Sequence, residues 1–213
     1  MFKSRAAVAV ILPLILLAGC SSNGQMTDTG VIITRSACPA VAIPAATGDV
    51  TLFDPETSRD ATAIDVVANI TNVRSACNEA GEQIVTSVTF DVQARRRDAR
   101  GVRDVTLPYF VVAVQGGTNV VSKSVSRVGL HFADGELRAT TRGTGTGQVS
   151  RAAVTLPEDI RQQITRNRKP GDADAAVDPM SSPEVREAVR RASFEILVGF
   201  QLTEDQLRYN ATR

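Results

Sequence analysis

Hydrophobic and polar positions alternate with a period of two through much of the middle of the chain. Ile64, Val66, Ala68 and Ile70 fall on one face, with Asp65, Asn69 and Thr71 opposite, as in a strand with one buried side. The next run is cleaner. Ile84, Val88, Phe90, Val92 and Ala94 alternate against Ser87, Thr89, Asp91, Gln93 and Arg95, which predicts a central strand. Residues 105–115 are apolar on both faces, as in a strand covered twice, while Pro108 cannot donate to a ladder and should mark an edge or bulge. Gly116-Gly117 predicts a turn. Alternation continues over 120–127 and 128–132. Asp134-Gly135, between Leu130-His131-Phe132 and Leu137-Arg138-Ala139-Thr140, is a hairpin signal. Residues 148–156 supply one more strand. About six or seven strands with no helices between them predict a mainly β fold, an antiparallel immunoglobulin-like or fibronectin-like sandwich over 31–165.

After Pro157 the period changes. Ile160 and Ile164 are four apart, with Glu158 and Asp159 in the first turn, which predicts a short helix with its dipole complemented. Residues 166–182 read as a loop holding Pro170, Gly171 and Pro179. Ser182-Pro183-Glu184 opens a second helix with Val185, Ala188, Val189 and Ala192 on one stripe and a Glu187–Arg191 ion pair. Phe194, Ile196, Val198, Phe200 and Leu202 alternate as a last strand, and Thr203-Glu204-Asp205-Gln206 resembles a capping box. The C-terminal part, 183–213, is thus a helix-strand-helix addition packed on the sandwich. Its strand pairs either within the chain or with a partner by β-augmentation.

The N-terminal end has a different layout. Met1-Phe2-Lys3-Ser4-Arg5 is positive, residues 6–17 are apolar, and Ala18-Gly19-Cys20 are small, the three parts of a secretory signal. The apolar run is too short for the roughly 20 residues of a spanning helix, and Pro13 interrupts it. Leu17-Ala18-Gly19-Cys20 resembles the lipobox of bacterial lipoproteins with a type II signal peptide. The resemblance covers residues 1–20 only. It implies removal of 1–19, a diacylglyceryl group on the Cys20 thiol and, in Gram-negative cells, N-acylation, so that several acyl chains hold the protein on a membrane. Ser21 in place of the Asp associated with inner-membrane retention favours the outer membrane, with the domain facing the periplasm, if the cell is Gram-negative. Residues 20–30 are polar and small, which predicts a flexible tether.

Export changes the reading of the other cysteines. An oxidising compartment usually closes such a pair, so a Cys38–Cys77 disulfide is expected, worth up to about 4 kcal/mol in the chain-entropy model. The 24 basic and 23 acidic residues nearly cancel, which argues against a nucleic-acid partner. Aromatics are 4% and Trp is absent, so stacking platforms for bases or sugars are not expected.

The remaining candidate chemistry is sparse. His131 is the single histidine, and neither a two-His metal site nor a second triad centre can be built. Gly143-Thr144-Gly145-Thr146-Gly147 lacks the Lys-Ser/Thr pair of a phosphate loop and reads as a flexible connection between strands. Asp172, Asp174 and Asp178 lack the Gly and Glu of a Ca²⁺ loop, whose places hold Val177 and Pro183. Arg95, Arg96, Arg97, Arg100 and Arg103 form the densest charge in the chain, at an expected strand-to-strand turn. They are the candidates for contact with an anionic lipid, a phosphorylated glycan or an acidic protein, the alternative being a solvated tip that protects an edge. No catalytic residue, metal or cofactor is expected. The sequence therefore favours a membrane-anchored, non-enzymatic envelope lipoprotein that binds or scaffolds another envelope protein. Carriage of an apolar ligand between the sheets, or a peptidoglycan or lipid hydrolase built on His131 or on Asp54 and Glu56, are the alternatives.

Overall fold

The computed structural model describes residues 24–27, 30–33, 36–166, 168–169 and 171–212. The expected signal peptide, cleavage site and Cys20 lie outside them. The chain divides into two units, Met1–Thr34 and Arg35–Arg213. In the first, β1 (Gly24–Thr27) pairs antiparallel with β2 (Gly30–Ile33). The described part of the expected 20–30 tether is therefore paired backbone.

The second unit is mainly β. Its elements are β3 (Ala40–Ala42), β4 (Asp49–Phe53), β5 (Ile64–Asn78), β6 (Gln83–Arg96), β7 (Arg103–Gln115), β8 (Asn119–Phe132) and β9 (Arg138–Ser150). After these come α1 (Arg151–Val154), α2 (Glu158–Thr165), α3 (Pro183–Arg191), β10 (Phe194–Phe200) and α4 (Glu204–Thr212). Two four-stranded sheets form, ordered β3-β10-β7-β8 and β4-β5-β6-β9. Every pairing is antiparallel except β3 with β10. Alternation produces the core: Val66 and Ala68 of β5, Val88, Phe90 and Val92 of β6, Val111 of β7, Leu130 and Phe132 of β8, and Ile196 and Val198 of β10 are buried in one cluster. The Phe90 and Tyr109 rings meet edge to face at 5.1 Å, and Tyr109 donates its hydroxyl hydrogen to the Thr144 carbonyl at 2.6 Å, tying one sheet to the other.

Four expectations need correction. First, Asp134-Gly135 closes no hairpin. Phe132 pairs with Arg103 of β7, whereas Arg138 pairs with Arg95 of β6, so the turn carries the chain from one sheet to the other. The reason is long-range bonding: Gly135 N–H donates to Ala99 O at 2.8 Å and Gly101 N–H to Asp134 Oδ1 at 2.6 Å. These bonds hold the turn against the β6–β7 link, which crosses between the sheets at the same end. Second, Gly143 to Gly147 lie inside β9 and are not a flexible connection. The three glycines face inward, where a Cβ would come closer than 3.0 Å to Phe90, Val111 or Ile196. Glycine admits the close approach that any larger residue would prevent.

Third, 148–156 is not a strand throughout, since β9 ends at Ser150 and one helical turn follows. Fourth, the β-sheet unit does not stop at 165. β10 lies between β3 and β7, so the last strand has neighbours on both sides and offers no free edge for β-augmentation. Pro108 sits where β7 runs past the end of β10, with Gln201 N–H donating to its carbonyl at 2.9 Å. Its missing N–H thus falls beyond the ladder. The C-terminal elements otherwise follow the pattern. Ile160 of α2 packs with Val185 and Ala188 of α3, and Thr203 and Gln206 exchange the two bonds of a capping box. On α4, Tyr209 meets Phe53 of β4 edge to face at 5.1 Å.

Candidate functional site

The five arginines of the expected cationic tip separate into three fates. Parity along β6 decides the first split, because Arg96 shares the inward face of Val92 and Ala94 while Arg95 and Arg97 point out. Arg96 is 1% exposed. Its Nε donates to Glu136 O at 2.7 Å, Nη1 to Gly101 O at 2.8 Å, and Nη2 to Ala99 O at 2.6 Å and Ala133 O at 2.9 Å. The guanidinium also lies 5.3 Å from the Phe132 ring centre. Arg96 therefore ties the two crossover links together and is not a partner contact. Its burial is affordable because carbonyl oxygens take the place of water.

Arg100 and Arg103 are matched by acids. Arg100 binds both carboxylate oxygens of Asp98, at 2.6 to 3.0 Å, and this bonding holds Asp98 well below the usual carboxylate range. Arg103 forms two bonds to Asp65 at 2.7 and 2.5 Å, which lowers the Asp65 pKa against the opposing effect of burial.

Arg95 and Arg97 remain. They line an open groove of about 790 Å³ on the outer face of β5, β6 and β9. Arg97 donates to the Thr62 carbonyl, and Arg95 lies directly across the ladder from Arg138. Both members of that pair are exposed. Two residues along, Asn69, Gln93 and Thr140 form a row across the three strands. Beyond it, Asp91 is occupied by Asn72 at 2.8 Å and Arg142 at 3.2 Å, and these bonds lower its pKa. Adjacent guanidiniums can take an oxyanion by paired, charge-assisted hydrogen bonds. Arg138 was not part of the expected set, because only the β6–β9 register brings it beside Arg95.

The other candidates are placed as follows. Cys38 and Cys77 form a disulfide with Cα atoms 6.1 Å apart. Glu79 Oε1 lies 2.8 Å from Cys38 Sγ, a contact without a shared proton, since a disulfide sulfur has none to donate. These three side chains converge, but the bonded sulfurs offer no thiolate to a metal. His131 Nδ1 is 2.7 Å from Asp104 Oδ1, with both side chains largely exposed. Asp54 and Glu56 line a second groove of about 880 Å³ with Arg59, Arg103 and Asp205. Asp172 and Asp174 are met by Arg166, and Asp174 also by Arg168, while Asp178 accepts from Met180 N–H. Arginine already occupies the first two of those loop acids, and the backbone the third.

No helix of the described residues is long and apolar enough to cross a membrane. No family model, curated protein or solved structure matches the chain.

Proposed function

We propose that this chain is a membrane-anchored envelope lipoprotein whose β domain acts by contact with another envelope component and not by catalysis. The observation that carries the reading is Leu17-Ala18-Gly19-Cys20 at the end of a charged start and an apolar run. The Cys38–Cys77 disulfide supports it, because such bonds persist in oxidising compartments and because the pairing leaves Cys20 as the remaining cysteine. Ser21 favours the outer membrane, with the domain in the periplasm, in a Gram-negative cell. Two mostly antiparallel sheets around a common core support the immunoglobulin-like or fibronectin-like version of the fold.

Contact is favoured over the alternatives by what fills the interior and what lines the surface. Phe90, Val111 and Ile196 occupy the space above the β9 glycines, where a carried apolar ligand would have to lie. His131, the centre of the hydrolase alternative, sits with Asp104 on an exposed strand face, where water is not excluded from the reacting atoms. The groove beside Arg95 and Arg138 is an open surface suited to a partner.

The anchor is tested by palmitate labelling and fractionation of the full chain and of Cys20→Ser. Labelled, membrane-bound parent and unlabelled, released variant are expected, and an unlabelled parent would sink the reading. Cross-linking in the native envelope then identifies the partner. Recovery of monomer alone, with lipid in its core, would favour the carrier instead.

A further inference from the structure

We infer that the outer face of β6 and β9 binds the phosphate of a phosphate ester whose carrier bears free hydroxyl groups. The inference rests on the contact reading above but not on the lipid anchor. Its basis is the Arg95–Arg138 pair. Cross-strand partners stand about 5.5 Å apart or less at Cα, and like charges placed so are mutually destabilising. Neither guanidinium has a carboxylate partner among the described residues. Two nearby acids are engaged elsewhere, Asp65 by Arg103 and Asp91 by Asn72 and Arg142. The result is a concave surface with unspent cationic hydrogen-bond donors side by side, and a tetrahedral oxyanion can bridge both.

The neighbouring row specifies the carrier. Gln93 is the cross-strand partner of both Asn69 and Thr140, and this row lies two residues from the arginines, about 7 Å along the strands. Two amides and a hydroxyl can each donate and accept, which suits the hydroxyl groups of a small polyol or sugar attached to the phosphate. An acidic side chain of a protein would satisfy the arginines but leave this row without a matching group. The shared chemistry is a phosphate ester on a polyol, whether part of a lipid head group or free in solution. Because Arg95 and Arg138 are exposed, the attraction weakens with ionic strength.

The test is calorimetric titration of the full chain, purified as the cell processes it, in neutral detergent at low salt. Glycerol 3-phosphate is the probe, with inorganic phosphate, glycerol and a Glu-Glu dipeptide for comparison. Glycerol 3-phosphate should bind more tightly than any of the three. Arg95→Ser and Arg138→Ser should each weaken it by about tenfold or more, a change of about 1.4 kcal/mol, whereas Arg127→Ser, at an exposed position of β8, should not. Both groove variants should melt no lower than the parent, since each removes a like-charge pair, so a loss of binding is separable from a loss of fold. Tighter binding of dihexanoyl phosphatidylglycerol than of glycerol 3-phosphate would identify a lipid head group, and the reverse order a soluble ester. Equal binding of the Glu-Glu dipeptide, equal binding of inorganic phosphate, or unchanged binding by the groove variants would overturn the inference. Failure here with palmitate labelling intact would leave the anchor standing, and failure of labelling alone would leave the groove standing.

Discussion

The two faces of the β4-β5-β6-β9 sheet use the same residue types in opposite ways. On the inner face, glycines of β9 let Phe90, Val111 and Ile196 fill the space between the sheets, and a buried guanidinium is satisfied by four carbonyl oxygens from its own chain. On the outer face, two residues with the same guanidinium stand abreast with no carboxylate among the described residues to meet them. An arginine whose donors are used internally acts as structure, while one whose donors face solvent beside a like charge is available for a ligand. Arg95 and Arg96 are sequence neighbours, yet they fall on the two sides of this division.

The largest test of that division is Arg96→Met, which removes all four carbonyl bonds. Truncating a buried, hydrogen-bonded charged group leaves its partners unpaired, at about 1 to 3 kcal/mol each for those that find no water. We expect a loss of about 3 kcal/mol or more in urea denaturation, and no loss would show that the corner holds without its cage. Next is Gly143→Ala, whose new methyl meets the Phe90 ring. That ring is buried and packed on Tyr109, so it cannot swing aside, and overpacking of this kind costs about 2 kcal/mol. A melting point equal to that of the parent would mean the sheets can separate more easily than their packing implies.

The inner face has one group out of keeping with the rest. Thr86 is fully buried and its Oγ1 lacks a partner among the described residues. Thr86→Val should therefore raise stability by about 1 kcal/mol, and a decrease would indicate an unrecognised bond to the hydroxyl. The smallest effect concerns the outer pair Arg103–Asp65. The folded-state pKa of Asp65 is lowered, so its stabilising contribution is present above the unfolded value of 3.8 and is lost as pH falls through the folded value. At neutral pH, Arg103→Ser should cost at most about 1 kcal/mol, because Arg103 is partly exposed. The gap between parent and variant should close below about pH 4. A gap independent of pH would assign the loss to packing of the Arg103 stem instead.

Strands were legible where one face alternated with the other, as in β5 and β6. Which strands meet was not. Asp134-Gly135 carries local hairpin chemistry, but the bonds that set its path come from Ala99, Gly101 and Arg96, more than thirty residues earlier. The Gly-Thr-Gly-Thr-Gly stretch reads as flexible by composition, although its period of two is itself a strand signal, with the glycines placed opposite bulky neighbours. The inward position of Arg96 was visible in the parity of β6, had the arginine run been read as the end of a strand and not as a turn. Arg138 offered no local signal, since its pairing with Arg95 follows from the sheet crossing. The disulfide was legible from cysteine count and the expectation of export.

That disulfide also sets how the domain bears load. Tension entering from the N-terminal side reaches Cys38 and passes through the sulfurs to Cys77 at the far end of β5. It bypasses the intervening backbone, which contains β3, β4 and nearly all of β5. Peeling β3 from β10 and β4 from β5 is thereby taken out of the force path. The first noncovalent resistance to a pull then comes from the pairing of β5 with β6 beside Cys77. A closed bond becomes a mechanical shunt, and reducing it would hand the load to the three-residue β3.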